Sequence, residues 1–178
     1  MNADLDTDLN NDGLVVALDE REEKRARQKI RVKAMDFLAR REYGCQELRQ
    51  RLLRRNYDYD PERVELIIAE LVAENLLSDE RFVETFVASR QRRGQGPLRI
   101  RAELRERGIN QALIEAWLDM RDPEWLHSLR ELHDKRFSGQ QPETVSERAR
   151  QQRFFNYRGF TAEQIKRLFK QDTDDYFE

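Results

Sequence analysis

The side chains of this sequence best equipped for chemistry are its arginines. Arg90, Arg92 and Arg93 close one predicted helix, and Arg99, Arg101 and Arg105 occupy the next, beyond Gly94-Gln95-Gly96-Pro97. Arg40, Arg41 and Arg49 form an earlier group. A planar guanidinium grips phosphate or carboxylate with two parallel hydrogen bonds, so these residues suit a DNA backbone and an acidic protein groove alike. Composition does not decide between the two. Other candidates are weaker. His127 and His133 are six residues apart, about 240° around one predicted helix, and cannot share a metal as an i, i+4 pair does. Cys45 starts a predicted helix among bases, with no histidine beside it in sequence, and reads as an ordinary helix-start residue. Gly94-Gln95-Gly96 lacks the preceding strand and the Lys-Ser/Thr ending of a phosphate loop. The Asp and Asn residues of Asp4–Asp12 lack the glycine and closing glutamate of a calcium loop. The expectation is a protein without catalytic residues, cofactor or metal, one that acts by binding.

Charge is segregated along the chain. The formal net charge is -2, yet Met1–Glu20 holds six acids and no base, and Asp172–Glu178 holds four acids and no base. That leaves 25 acids against all 33 Lys and Arg in residues 21–171, an excess of about eight positive charges. Arg21–Arg55 carries 13 bases and five acids, and Arg90–Arg107 seven Arg against Glu103 and Glu106. Such faces attract polyanions over roughly 8–10 Å at physiological salt. Solvated helix faces laced with Glu–Arg pairs account for part of the same pattern.

The elements that must position these groups read as helices throughout. Charged residues are 38% of the chain, with 7 Gly and 4 Pro, which disfavours a turn-rich sandwich or barrel. Apolar residues recur at three- and four-residue steps in nine segments after residue 28. Asp60-Pro61 and Asp122-Pro123 place a capping oxygen before a proline at a helix start. Thr144 with Glu147, and Thr161 with Gln164, fit the capping box. No run approaches the roughly 20 apolar residues that span a bilayer, and the acidic start is unlike a secretory signal. With one cysteine, the expectation is a soluble cytoplasmic protein that touches no membrane.

The segments repeat. Leu52 precedes Tyr57 by five residues, Leu104 precedes Ile109 by five, and Phe155 precedes Phe160 by five. Arg55-Asn56, Arg107-Gly108 or Arg158-Gly159 stands just ahead of the second member each time, with Asn56 expected to take the left-handed conformation in glycine's place. The resulting fold class is all-α, three tandem three-helix repeats forming an elongated, curved array. Its parts are an acidic, flexible tail at 1–20, modules at 21–77, 78–121 and 122–171, and a second acidic tail at 172–178.

The run Ser78-Asp79-Glu80-Arg81-Phe82-Val83 through Phe86-Val87-Ala88-Ser89-Arg90, then Gly94-Gln95-Gly96-Pro97, Arg99-Ile100 and Leu104 through Ile109, resembles the central signature of the RecX regulatory proteins. Phe37–Tyr43 with Glu47, Leu48 and Leu52 is similar to that family's first repeat, and Arg153-Phe154-Phe155 with Tyr157–Phe160 to its third. The likeness spans about residues 30–171. It implies a negative modulator of RecA that lies in the groove of the RecA–DNA filament, opposing filament growth, ATP hydrolysis, strand exchange and SOS co-protease activity. The implied partners are the RecA filament and, through it, single-stranded DNA, with this protein acting as a monomer. The residues themselves leave open a direct DNA- or RNA-binding protein using the same arginine-rich face. The acidic extension Met1–Glu20 has no counterpart in the family pattern.

Overall fold

The structure, a computed structural model, describes residues 6–174, with side chains from 18 to 170. Of the segments assigned to the acidic tails, residues 1–5 and 175–178 lie outside the described residues, while the first helix begins at Asp6 and the last ends at Asp174. Among the described residues there are nine α-helices and no strand: α1 (Asp6–Leu38), α2 (Cys45–Leu52), α3 (Pro61–Ala73), α4 (Asp79–Arg92), α5 (Pro97–Glu106), α6 (Gln111–Trp117), α7 (Glu124–Phe137), α8 (Val145–Arg158) and α9 (Ala162–Asp174). The chain forms two compact units, Met1–Ser78 and Asp79–Glu178. No described helix is long and apolar enough to cross a membrane.

In the first unit, α1–α3 enclose Ile30, Ala34, Phe37, Leu48, Leu52, Val64, Ile67 and Leu71. Part of the basic stretch, with Arg63 beyond it, serves this packing. Arg27 pairs with Glu70, Arg31 with Glu74, and Arg63 of α3 with Glu23 of α1. Each arginine leans its stem along the helix pair and meets a carboxylate across it. Two hydrogen bonds, of 3.0 and 2.5 Å, run from Arg31 to Glu74, and they are the main cause holding the Glu74 carboxyl below its ordinary value. A carboxyl lowered by folding stabilises the protein above the usual glutamate range and loses that contribution as pH falls beneath it. Thermal unfolding of the first unit should therefore depend less on pH below about 4.3 in Glu74→Gln than in the parent, and parallel curves would exclude this role.

In the second unit, α4–α6 surround Phe82, Val83, Ile100, Leu104 and Ile114, joined by Trp125 from the start of α7. The helices α7–α9 surround Leu129, Phe155, Phe160, Ile165 and Leu168. Thr144 and Glu147 complete a reciprocal capping box, and Thr161 and Gln164 make the same pair of bonds. Asp60 caps α3 as expected. At the start of α7, Pro123 occupies the cap position while the Asp122 carboxylate accepts the Glu124 N–H at 2.9 Å.

The five-residue repeat has a backbone cause in two of its three copies. The Gly108 N–H donates to Arg105 and the Ile109 N–H to Leu104, while the Gly159 N–H donates to Asn156 and the Phe160 N–H to Phe155. These are Schellman turns, which set glycine in the left-handed region and press an apolar residue back on the helix five positions earlier. Gly108 sits at φ 75 and Gly159 at φ 92. The first copy differs: Asn56 does not adopt positive φ, which falls instead on Asp58 at φ 50. The Tyr57 N–H donates to Arg54 rather than Leu52, so the chain makes one more short turn there. Tyr57 then stacks on Tyr59, ring centroids 5.6 Å apart, and the stack completes the corner that a Schellman turn closes elsewhere. An asparagine does replace glycine at a helix end in this unit, but it is Asn75, φ 55, after α3.

Candidate functional site

The arginine cluster lies on α4 and α5, which touch each other and are joined by the Gly94–Pro97 turn. Gly94 ends α4 at φ 69, with the Gln95 N–H donating to Arg90, and Pro97 opens α5 where its missing N–H costs nothing. On α5, Ile100 and Leu104 face the core at 0% exposure, which fixes the other two faces. Arg99, Glu103 and Arg107 fall on the face toward α4, and Leu98, Arg101 and Arg105 on the outer face.

Glu103 organises the inner face. Its carboxylate accepts Arg90 Nε at 2.8 Å and Arg99 Nε at 3.2 Å, and lies 4.0 Å from Arg107 Nη1, which also donates to the Glu103 carbonyl at 2.8 Å. Glu103 is 18% exposed, so these bonds are only partly screened. The hydrogen bond to Glu103 is the main cause raising Arg99 above its already high ordinary pKa. Arg90 and Arg107 also lie over the Phe86 ring, 4.5 and 4.8 Å from its centroid.

The predicted cluster therefore divides. Arg90 and Arg99 are held inside the unit, and Arg107, which had no place among the candidates, joins them on Glu103. Arg92 and Arg93 are exposed at the end of α4, Arg101 is half-buried, and none of the three side chains makes an ion pair among the described residues. Arg105 is exposed and donates to Gln111 of α6 at 2.8 Å. In the first unit, Arg40 is exposed, Arg41 makes a two-pronged pair with Glu47 and lies 3.6 Å from the Tyr43 ring centroid, and Arg49 reaches Glu65 at 2.8 Å. Arg41 and Arg49 are thus committed to local pairs, and Arg40 has no such partner among the described residues.

The second unit also shows what sequence reasoning did not single out. The end of α8 completes the start of α5. The Gly96 N–H donates to the Arg158 carbonyl at 2.8 Å, and the Leu98 N–H donates to the Gly159 carbonyl at 3.0 Å. Two unsatisfied donors at one helix start thereby meet two unsatisfied acceptors at another helix end. Arg158 returns a bond to the Arg93 carbonyl at 3.2 Å, tying α8 to the end of α4. Beside this junction stands Tyr157, 74% exposed, with the Arg99 guanidinium over its ring at 5.4 Å. The available signal was the position of Tyr157 two residues past Phe155, which turns it off the core face.

Elsewhere in the unit, a cavity of 1320 Å³ opens between α7 and α8, lined in part by Arg136, Arg150, Gln151 and His133. His133 is buried against Phe137 and Phe155, while His127, on the same helix, is exposed. Among the described residues, no group of three His, Cys, Asp or Glu side chains is placed to hold a metal ion.

Comparison with known proteins bears on this arrangement. Models of the first, second and third three-helix domains of RecX match residues 31–71, 78–118 and 122–169. The chain is 45% identical over 139 residues to the regulatory protein RecX of Pseudomonas syringae pv. tomato, covering 78% of this chain and 88% of that protein. It is 44% identical over 147 residues to that of Pseudomonas fluorescens, covering 82% and 94%, and 41% identical over 141 residues to that of Halorhodospira halophila, covering 79% and 86%. A crystal structure of regulatory protein RecX shares the fold with a TM-score of 0.71 at 22% identity, covering 86% of this chain and 76% of the other. That of RecX from Lactobacillus salivarius does so at 0.69 and 19%, covering 83% and 97%. Three successive domain models falling on three successive helix triplets, with relatives at 41% to 45% identity over most of the length, mean that the chain belongs to the RecX family of regulatory proteins.

Proposed function

We propose that this protein binds the RecA filament on single-stranded DNA and negatively modulates it, opposing filament growth and with it ATP hydrolysis, strand exchange and SOS co-protease activity. The observation carrying this reading is the outward set Arg92, Arg93, Arg101 and Arg105, left without carboxylate partners among the described residues on a member of a regulatory family. The protein works by occupancy, as a cytoplasmic monomer without catalytic residues, cofactor or metal. Several modest contacts on successive RecA protomers act at high effective concentration, so a clamp can hold a filament that it would bind weakly at one point. The filament is polyanionic along its DNA and presents a repeating protein groove, and both surfaces suit guanidinium forks.

RecA ATPase on single-stranded DNA is the test. Inhibition should appear at molar ratios well below one protein per RecA, because blocking growth lets the existing polymer shrink. Inhibition that merely tracks the amount of DNA covered by the protein would support the second reading, direct DNA or RNA binding. That reading also expects a steep salt dependence on bare DNA, with no added affinity from RecA and ATP.

A further inference from the structure

The role of Tyr157 goes beyond arginine recognition. Large aromatic side chains are normally spent on a core, and the neighbouring Phe155 is fully buried, whereas Tyr157 is 74% exposed at the last turn of α8. Its backbone is anchored. The next two carbonyls, of Arg158 and Gly159, accept the Gly96 and Leu98 N–H groups, and Arg99 Nη1 reaches the Tyr157 carbonyl at 3.5 Å. The Arg99 guanidinium lies 5.4 Å from the ring centroid, hydrogen-bonds the Tyr157 side chain and is itself fixed by Glu103. The ring's exposure leaves room for a flat partner to stack on it. Arg158 bonds the Arg93 carbonyl at the same junction, so the exposed Arg92 and Arg93 end the helix that meets it, and Leu98, which is 37% exposed, lies beside it. The carboxylate that orients Arg99, that of Glu103, is already engaged with three guanidiniums.

An open aromatic face backed by a cation and ringed by arginines matches how single-stranded nucleic acid is held: guanidiniums take the phosphates, and a base, which always has a π-face, stacks on the ring. The ring has two side-chain torsions to fix, so little conformational entropy is lost on stacking. We propose that Tyr157, backed by Arg99, is a stacking platform for one unpaired base of a single strand. This deepens the filament reading, on which it rests for its setting, by naming the chemistry that meets the second unit at the α4–α5–α8 junction.

The test compares two labelled oligomers of equal length and phosphate count, oligo-dT and its abasic counterpart, by anisotropy at one salt concentration. The parent protein should bind oligo-dT at least about fivefold tighter than the abasic strand. Tyr157→Ala should lose that preference while keeping its affinity for the abasic strand, and Tyr157→Phe should retain both, because stacking needs the ring and not the hydroxyl. Equal affinity of the parent for the two strands overturns the platform, as does a preference that survives Tyr157→Ala. A ring that instead docks on protein gives equal affinities together with weaker ATPase inhibition by Tyr157→Ala, and that result also overturns it. The filament reading fails separately: a base preference that vanishes in Tyr157→Ala, with no substoichiometric inhibition by the parent, sustains the platform and removes the RecA assignment.

Discussion

Replacing Gly159 by alanine should cost the second unit at least about 3 kcal/mol, a fall in Tm of about 12 °C or more, read by calorimetry or circular dichroism. Two effects add. The residue sits at φ 92, where a side chain is strained. A Cβ there would also stand 2.4 Å from Arg99 Cβ and 2.6 Å from the Arg99 nitrogen, inside atoms that cannot swing away. Gly96→Ala separates the two effects. Its backbone, φ -85 and ψ 167, suits any residue, yet a Cβ would lie 2.5 Å from the Gly159 carbonyl group and the Phe160 nitrogen. Gly108→Ala at φ 75, exposed on its Schellman turn, should show conformational strain of about 1 kcal/mol. The expected order is Gly159 worst, Gly96 next and Gly108 mildest. Because the two clashes open the same α5–α8 junction, the double variant should be milder than the sum of its parts. If Gly96→Ala unfolds no earlier than Gly108→Ala, the α5–α8 junction does not carry the stability argued for it.

The second large effect divides the arginines by role. Changing Arg92, Arg93, Arg101 and Arg105 together to Glu should leave the unit folded, since three of these side chains lack internal carboxylate partners and Arg105 loses one exposed bond to Gln111. ATPase inhibition should nonetheless fall at least about tenfold, because four cations become four anions facing a polyanionic target. Reversing Arg90 alone should do the opposite. It places a new carboxylate against Glu103, 18% exposed and already the acceptor for two other arginines, and removes the guanidinium over Phe86. Breaking a partly buried network in this way should cost about 2–4 kcal/mol and appear first as earlier unfolding. Normal inhibition by the fourfold variant would show that these arginines are not the contact surface, whatever becomes of the RecA reading.

What was legible in the sequence followed geometries with fixed spacing. A Schellman turn demands an apolar residue, then glycine or asparagine, then a second apolar residue five positions after the first, so Leu104–Ile109 and Phe155–Phe160 announced themselves. The same rule misplaced Asn56, because a longer corner capped by stacked tyrosines satisfies the same need at Tyr57. The arginine cluster was legible as a concentration but not in its roles. Arg90 meets Glu103 thirteen residues away, and nothing in either residue type shows that the carboxylate is taken inward. The junction of Gly96 with Gly159 was beyond sequence reading, since each glycine already had a local explanation as a helix boundary.

That junction also bears on how the polypeptide emerges from the ribosome. The donors at Gly96 and Leu98 meet their acceptors about sixty residues further along the chain, at Arg158 and Gly159. At about 5–20 residues per second, the start of α5 waits several seconds with open N–H groups that water alone can satisfy. The described core of the first unit is drawn from Ile30–Leu77 alone, so it is complete in sequence before α5 emerges, whereas α5 and α8 complete each other only near the end of synthesis.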